Sequence, residues 1–390
     1  MSPPSAKAQA IIASRVFDGR QMHGARAVLV QGGKIVGLSE PGDVPPGYAR
    51  IVLPDASLLA PGFIDVQVNG GGGTLLNDNP GADAMAAIAR AHRRFGTTGC
   101  LPTLITDERQ AMARTIAAAR QAVTTPGVLG LHLEGPFLNP ARRGVHREDL
   151  IAIPDMHDAD MLAELRGIGA CQVTLAPERV PAGFIARLVA AGLKVSAGHT
   201  DATAEQLLAA VDEGLTGITH LFNAVSQMQA RESGVVGATL ADDRIFAGMI
   251  CDGHHVGAVT MRAAYRAKGA TRIMLVTDAM PLVGTDRDRF ILVGKEITLR
   301  NGRLTEANGG LAGAHLDMAS AVRNAVALIG APLEDALVMA SLTPASFLGL
   351  DDRLGRIAPD YDADLVALNS DIGVVATWIA GAVEWVQRPH

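Results

Sequence analysis

Cysteine is scarce. The 390 residues hold three, Cys100, Cys171 and Cys251, far apart and odd in number. That argues against a disulfide framework and a thiolate metal site, and it suits a reducing cytosol. Aromatic residues make up only 4%, so stacking surfaces for single-stranded nucleic acid are lacking. Positive charge is not in excess. The formal net charge of −6 gives no general attraction to nucleic acid or to an anionic membrane. No uninterrupted apolar run approaches the ~20 residues of a membrane span. The opening "MSPPSAKAQAIIAS" has no apolar core of signal-peptide length. There is no HExxH and no GxGxxG, and no Gly-Lys-Ser/Thr follows the four glycines at 70–73. A flexible loop is the expectation for those glycines.

What is abundant is aliphatic. Hydrophobic residues reach 48%, ample for a large core. Residues 9–58 read as short strands: "AIIASRVF", then "ARAVLVQGGKIVGLS" with a turn at Gly32-Gly33, then "ARIVLP". The last stretch reads alike, with "GRIAPDYDADLVALN" and "VVATWIAGAVEWV" turning at Ala380-Gly381. Two β-rich ends around a different middle predict one small β-sandwich domain built from residues 1–58 and 356–390. In the middle, 59–355, short apolar strands alternate with Ala-rich helices such as "ADAMAAIARAHRRFG", "ERQAMARTIAAARQAV", "AEQLLAAVDEG" and "AVTMRAAYRAKG". Strands are expected near 59–68, 98–103, 128–134, 171–175, 193–198, 216–220, 244–250 and 272–277. Eight strands separated by helices favour a (β/α)₈ TIM barrel. "FILVGKEITLRNGRLTE", with a hairpin signal at Asn301-Gly302, is expected as an excursion after the eighth strand.

In such barrels the chemistry gathers at the C-terminal ends of the strands. The first strand ends "DVQVNG", so Gln67 and Asn69 share one face. "GLHLEGP" ends in Glu134, "KVSAGHT" in His199, "GITHLFNA" around His220 and "MLVTDAM" in Asp278. Glu134, His199 and His220 supply one carboxylate and two imidazoles, the ligand number of a catalytic zinc-type site with an open position. Each taken singly also reads as a packed or capping residue. Asp278 reads either as the N-cap of a following helix or, beside a metal, as a general base and acid. His132 shares the strand face of Glu134 and is expected to be a hydrogen-bonded core histidine.

"LAPGFIDVQVNG", "LHLEGPFLN", "GHTDAT", "THLFNA", "DGHHV" and "LVTDAM" occur in this order over nearly the whole chain. Together they resemble the N-acetylglucosamine-6-phosphate deacetylase family of the amidohydrolase superfamily. Many amidohydrolases end strand one with His-x-His, two ligands of a more buried metal. Here Gln67-Val68-Asn69 stands in that place, and neutral amides are poor ligands for a transition metal. The resemblance therefore implies one divalent ion per chain, zinc or ferrous iron, held by Glu134, His199 and His220. Gln67 and Asn69 would support its ligands or its water. It implies deacetylation of an amino-sugar phosphate, with Asp278 moving the proton.

Substrate contacts are implied at Val145, His146, Asn223, Ala224 and the loop Leu311-Ala312-Gly313, and phosphate contacts at Arg231 and His255. The resemblance also implies a homodimer, with Arg231 reaching the partner's site. Independently, Arg142, Arg143, His146, Arg231, His254 and His255 fall in loops after strands of an otherwise acidic chain, which suits phosphate. His254, Ser233 and Val225 depart from the usual family pattern. Other amidohydrolases, acting on N-acyl amino acids or cyclic amides, would carry His-x-His and often a carboxylated lysine. A silent barrel scaffold would have lost its ligands.

Overall fold

Side chains that alternate along short strands, each followed by a helix with one apolar stripe, can bury both faces only by wrapping helices around a sheet. A computed structural model describes residues 8–387, so the outermost residues of both arms of the expected small domain lie outside it. It contains a parallel eight-stranded sheet in sequential order: Phe63–Val68, Thr97–Ile105, His132–Glu134, Gln172–Leu175, Lys194–Ala197, Gly217–Ile218, Phe246–Ile250 and Ile273–Val276. The first helix, Ala82–His92, shows how the packing works. It turns Ala84, Met85, Ile88 and Ala89 inward at helical spacing. Five helices were not expected from the sequence: Leu333–Ala340, Leu342–Leu348, Met156–Ala163, Phe184–Ala190 and Gly234–Ala241. They are short, and the last is apolar on all sides.

The expected first strand, 59–68, is two strands. Leu58–Pro61 pairs antiparallel with Leu365–Leu368, joining the chain's two ends in one six-stranded sheet, while Phe63–Val68 opens the barrel. Gly62 stands between them. A Cβ there would lie 2.1 Å from Thr98 Oγ1, so only glycine lets the strand pass from one domain to the other. The six-stranded sheet and a four-stranded one (Gln9–Ala13, Arg26–Gln31, Lys34–Ser39, Ala49–Val52) enclose a core of Ile11, Val28, Leu59, Leu365 and Trp378.

The four glycines are not the loose loop expected. Gly70–Gly71 pairs with Thr74–Leu75. The amides of Gly70, Gly72 and Gly73 donate to the carbonyls of Ala279, Val283 and Pro281. A Cβ on Gly70 would lie 2.5 Å from the Thr74 carbonyl, so close backbone approach explains the glycine. The excursion after the eighth strand is a three-stranded sheet (Arg289–Leu292, Lys295–Arg300, Arg303–Thr305) whose Asn301-Gly302 turn has φ of 50° and 77°. Its Leu292, Ile297 and Leu304 pack on Met280 and Ile105 at the barrel mouth. No described helix is long and apolar enough to cross a membrane.

Candidate active site

Three residues at the ends of barrel strands have left-handed backbones: His199 (φ 49°), His220 (φ 36°) and Asp278 (φ 50°). Phe222 and Ala224 join them with φ of 77° and 50°. Such conformations cost L-residues about 1–3 kcal/mol each and persist where surrounding contacts over-determine them. Here each chain leaves its strand in a sharp turn above the barrel mouth.

Glu134 Oε1 lies 3.1 Å from His199 Nε2 and 3.0 Å from His220 Nε2, and the two nitrogens are 3.0 Å apart. All three residues are buried. His199 Nδ1 lies 2.8 Å from the Arg142 carbonyl. A carbonyl can only accept, so Nδ1 carries the proton and Nε2 presents a lone pair. Ligand atoms about 2.0–2.2 Å from one ion stand roughly 3 Å or slightly more from one another. The triangle therefore fits one cation. His146 also comes close, since Glu134, His146 and His199 each offer an atom within 4.8 Å of the others. The tighter triangle is the better fit, since His146 Nδ1 is engaged by Thr106, whose Oγ1 is 2.7 Å away and whose amide donates at 3.3 Å.

Electrostatics agree with the geometry. Burial would raise the Glu134 pKa, but the His199 and His220 contacts hold it well below the usual carboxylate range. Burial pulls His220 down, yet Glu134 leaves it raised on balance. Burial drives His146 well below the imidazole range, so it is neutral. With Nδ1 accepting from the Thr106 amide, His146 carries its proton on Nε2.

The two amides meet carboxylates. Gln67 Nε2 donates to Glu134 (3.3 Å to Oε2) and to Asp278 Oδ1 at 3.2 Å. Asn69 Nδ2 donates to the same Asp278 Oδ1 at 2.6 Å. Asp278 caps no helix, since the next begins at Met318 with Asp317 as its cap. Burial, then the Glu134 charge, raises its pKa to about 6.

A cavity of about 190 Å³ opens here. Asn69, Glu134, His199, His220 and Asp278 floor it, and Val145, His146, Asn223, Ala224, His255, Leu311 and Gly313 surround them. Several expected residues are elsewhere. Ala312 is buried in the apolar cluster beneath the excursion, because its neighbours Leu311 and Gly313 take the wall. Arg231 is exposed and does not line the cavity of its own chain. Arg142 pairs with Asp201 and Arg143 with Glu148, at 2.7 and 3.2 Å, so carboxylates occupy the guanidinium groups expected to meet phosphate. His254 Nδ1 accepts from Arg303 Nε at 3.2 Å outside the wall, and His255 bonds Asp252 through Nδ1. His132 is the core histidine expected, 3.2 Å from Thr103 Oγ1 and 2.7 Å from Thr174 Oγ1.

Residues 58–383 match the amidohydrolase family. The chain belongs to the amidohydrolase family. Among its relatives, an N-acetylgalactosamine-6-phosphate deacetylase of Shewanella sp. is 42% identical over 83% of this chain and 82% of its own. An N-acetylglucosamine-6-phosphate deacetylase of Haemophilus influenzae is 34% identical over 91% and 93%. The crystal structure of N-acetylglucosamine-6-phosphate deacetylase from Pasteurella multocida superposes with a TM-score of 0.93, at 34% identity over 97% of this chain and all of that one.

Asp65, Thr106 and Thr277, all buried around the site of this amidohydrolase, were not expected from the sequence. A signal for Asp65 was present. Asp65, Gln67 and Asn69 recur at spacing two in an apolar strand, so all three point the same way. Thr106 and Thr277 gave none, since a threonine in a strand is ordinary.

Proposed function

We propose that this amidohydrolase removes the N-acetyl group of N-acetylglucosamine 6-phosphate, giving glucosamine 6-phosphate and acetate. The observation that carries this reading is the Glu134–His199–His220 triangle beside Asp278 on the floor of one cavity. Glu134, His199 and His220 would hold one divalent ion, zinc or ferrous iron. Such an ion lowers the pKa of water and polarises a carbonyl.

The chain's own groups do the rest. Both amides bond Asp278 through Oδ1, which leaves Oδ2 to take a proton from the attacking water. Asp278 then returns that proton to the departing nitrogen as the C–N bond breaks. The water oxygen stays on the acetyl carbon. His146, neutral with its proton on Nε2, donates to the acetyl oxygen as charge builds there. Asn223, Ala224, His255, Leu311 and Gly313 would orient the sugar.

Incubating the purified protein with zinc and N-acetylglucosamine 6-phosphate should release acetate and a free amine in equal amounts. No release from this substrate would sink the reading. The 42% identical relative favours a second substrate, the 4-epimer N-acetylgalactosamine 6-phosphate. Comparing kcat/KM for the two epimers decides which is preferred.

Arg231 supports a paired arrangement. It is exposed, outside its own cavity, on a loop that also exposes Met228 to 61%. In a homodimer it would grip the phosphate in the partner's site, and two-fold symmetry would complete both sites together. Mixing Arg231→Ala with Asp278→Asn by co-expression is the check. Random pairing makes about half the dimers mixed, with one intact site in two, so about a quarter of wild-type activity should return. Activity no higher than that of the unmixed variants would place Arg231 in its own chain.

A further inference from the structure

Every neighbouring pair of barrel strands is joined by a parallel ladder except the first and the eighth. There the described residues give one isolated bridge, Val68 to Ala279. Two backbone bonds close this seam near the mouth: Asp278 N to the Gln67 carbonyl (3.0 Å) and Gly70 N to the Ala279 carbonyl (2.9 Å). Below them a side chain takes the place of the missing rung. Asp65 Oδ1 accepts from the amides of Gln67 and Thr277, both at 3.2 Å, and Asp65 Oδ2 accepts from Thr277 Oγ1 at 2.5 Å. Thr277 Oγ1 in turn accepts from the Ala279 amide at 3.2 Å. Asp65 and Thr277 are fully buried.

We infer that Asp65 and Thr277 form a side-chain staple across the barrel seam that positions Asp278 for proton transfer. The residues it grips decide this. Thr277 immediately precedes Asp278, whose left-handed backbone needs outside support. Gln67 is the amide that donates to Asp278 Oδ1. One carboxylate thus holds the backbone that leads into Asp278 and the backbone of Gln67, whose side chain donates to Asp278. A buried carboxylate is a poor way to hold two strands for stability alone, because apolar partners of similar volume do as well or better. Burial pushes the Asp65 pKa up to about 7, which expresses the same cost. Asp65 and Thr277 are positioning residues, and the inference rests on Asp278 being the proton carrier.

Thr277→Val keeps the branched shape and removes the hydroxyl. It should lower kcat on N-acetylglucosamine 6-phosphate by up to about 10²-fold, the scale of a misplaced catalytic group. KM and bound metal should change little, and kinetics are read well below the melting temperature, which should fall because buried Asp65 Oδ2 and the Ala279 amide lose their partner. Thr277→Ser keeps the hydroxyl and should recover most of the turnover. Adding Thr277→Val to Asp278→Asn should cost nothing further, because the staple acts through a group already removed. If Thr277→Val does not fold, Thr277→Ala makes the same comparison with Thr277→Ser. A Thr277→Val enzyme at wild-type kcat, or a loss that adds in full to that of Asp278→Asn, overturns the staple. Full turnover in Asp278→Asn overturns instead the reading of Asp278 on which it rests, so the two failures are separable.

Discussion

Asp278→Asn is expected to lower kcat by about 10²–10⁴-fold, the range of general acid–base catalysis. KM should stay within a few-fold and the metal should stay bound. The replacement keeps the shape of the group. The asparagine Oδ1 can still accept from Gln67 and Asn69, as the carboxylate does. Its Nδ2 takes the place of Oδ2 and cannot accept a proton. Stability should hold or rise. Asp278 is buried beside the Glu134 carboxylate, and removing one of two like charges relieves repulsion. Steady-state kinetics and thermal melts measure both arms. Near-normal kcat would show that Asp278 serves only to tie the strands of the seam.

The second large effect concerns the metal. Chelation should abolish acetate release and lower the melting temperature, and adding back one equivalent of zinc should restore both. A ligand bound only by the folded chain stabilises it by RT ln(1 + [L]/Kd), about 4 kcal/mol at 1,000 times Kd. Glu134→Gln replaces the shared carboxylate with a neutral amide. It should weaken zinc binding by more than the roughly 10–100-fold that loss of a supporting group costs. Metal analysis of the purified variant and of wild type is the measurement. Two tightly held ions per wild-type chain, both needed for turnover, would contradict the single-ion site. An active, metal-free wild type would remove the metal from the reaction.

Much of this molecule is legible in the chain because side-chain periodicity is a local property of the backbone. Alternation of two and of 3.6 residues marks strands and helices wherever they fold. It gave the alternating barrel, the β-rich ends and the excursion with its Asn301-Gly302 turn. The same geometry put Gln67 and Asn69 on one face before any partner was known. Strand ends pointed to Glu134, His199, His220 and Asp278, because a parallel barrel collects its strand ends at one mouth.

Tertiary structure alone decided which of these meet. Glu134 Oε1 is 65 residues from His199 and 86 from His220, and Asp65 is 212 from Thr277. Their distances depend on strand register and on how the barrel closes, which no local pattern encodes. The left-handed turns at His199, His220 and Asp278 lay equally out of reach, since no glycine marks them. So did the arginines. A charge in a loop reads the same in sequence whether it faces a ligand or, like Arg142, a nearby carboxylate. The sequence alone determined which chemistry the chain can carry and on which strand ends. Barrel closure decided which of those groups touch, because only the packed fold fixes distances between residues far apart along the chain.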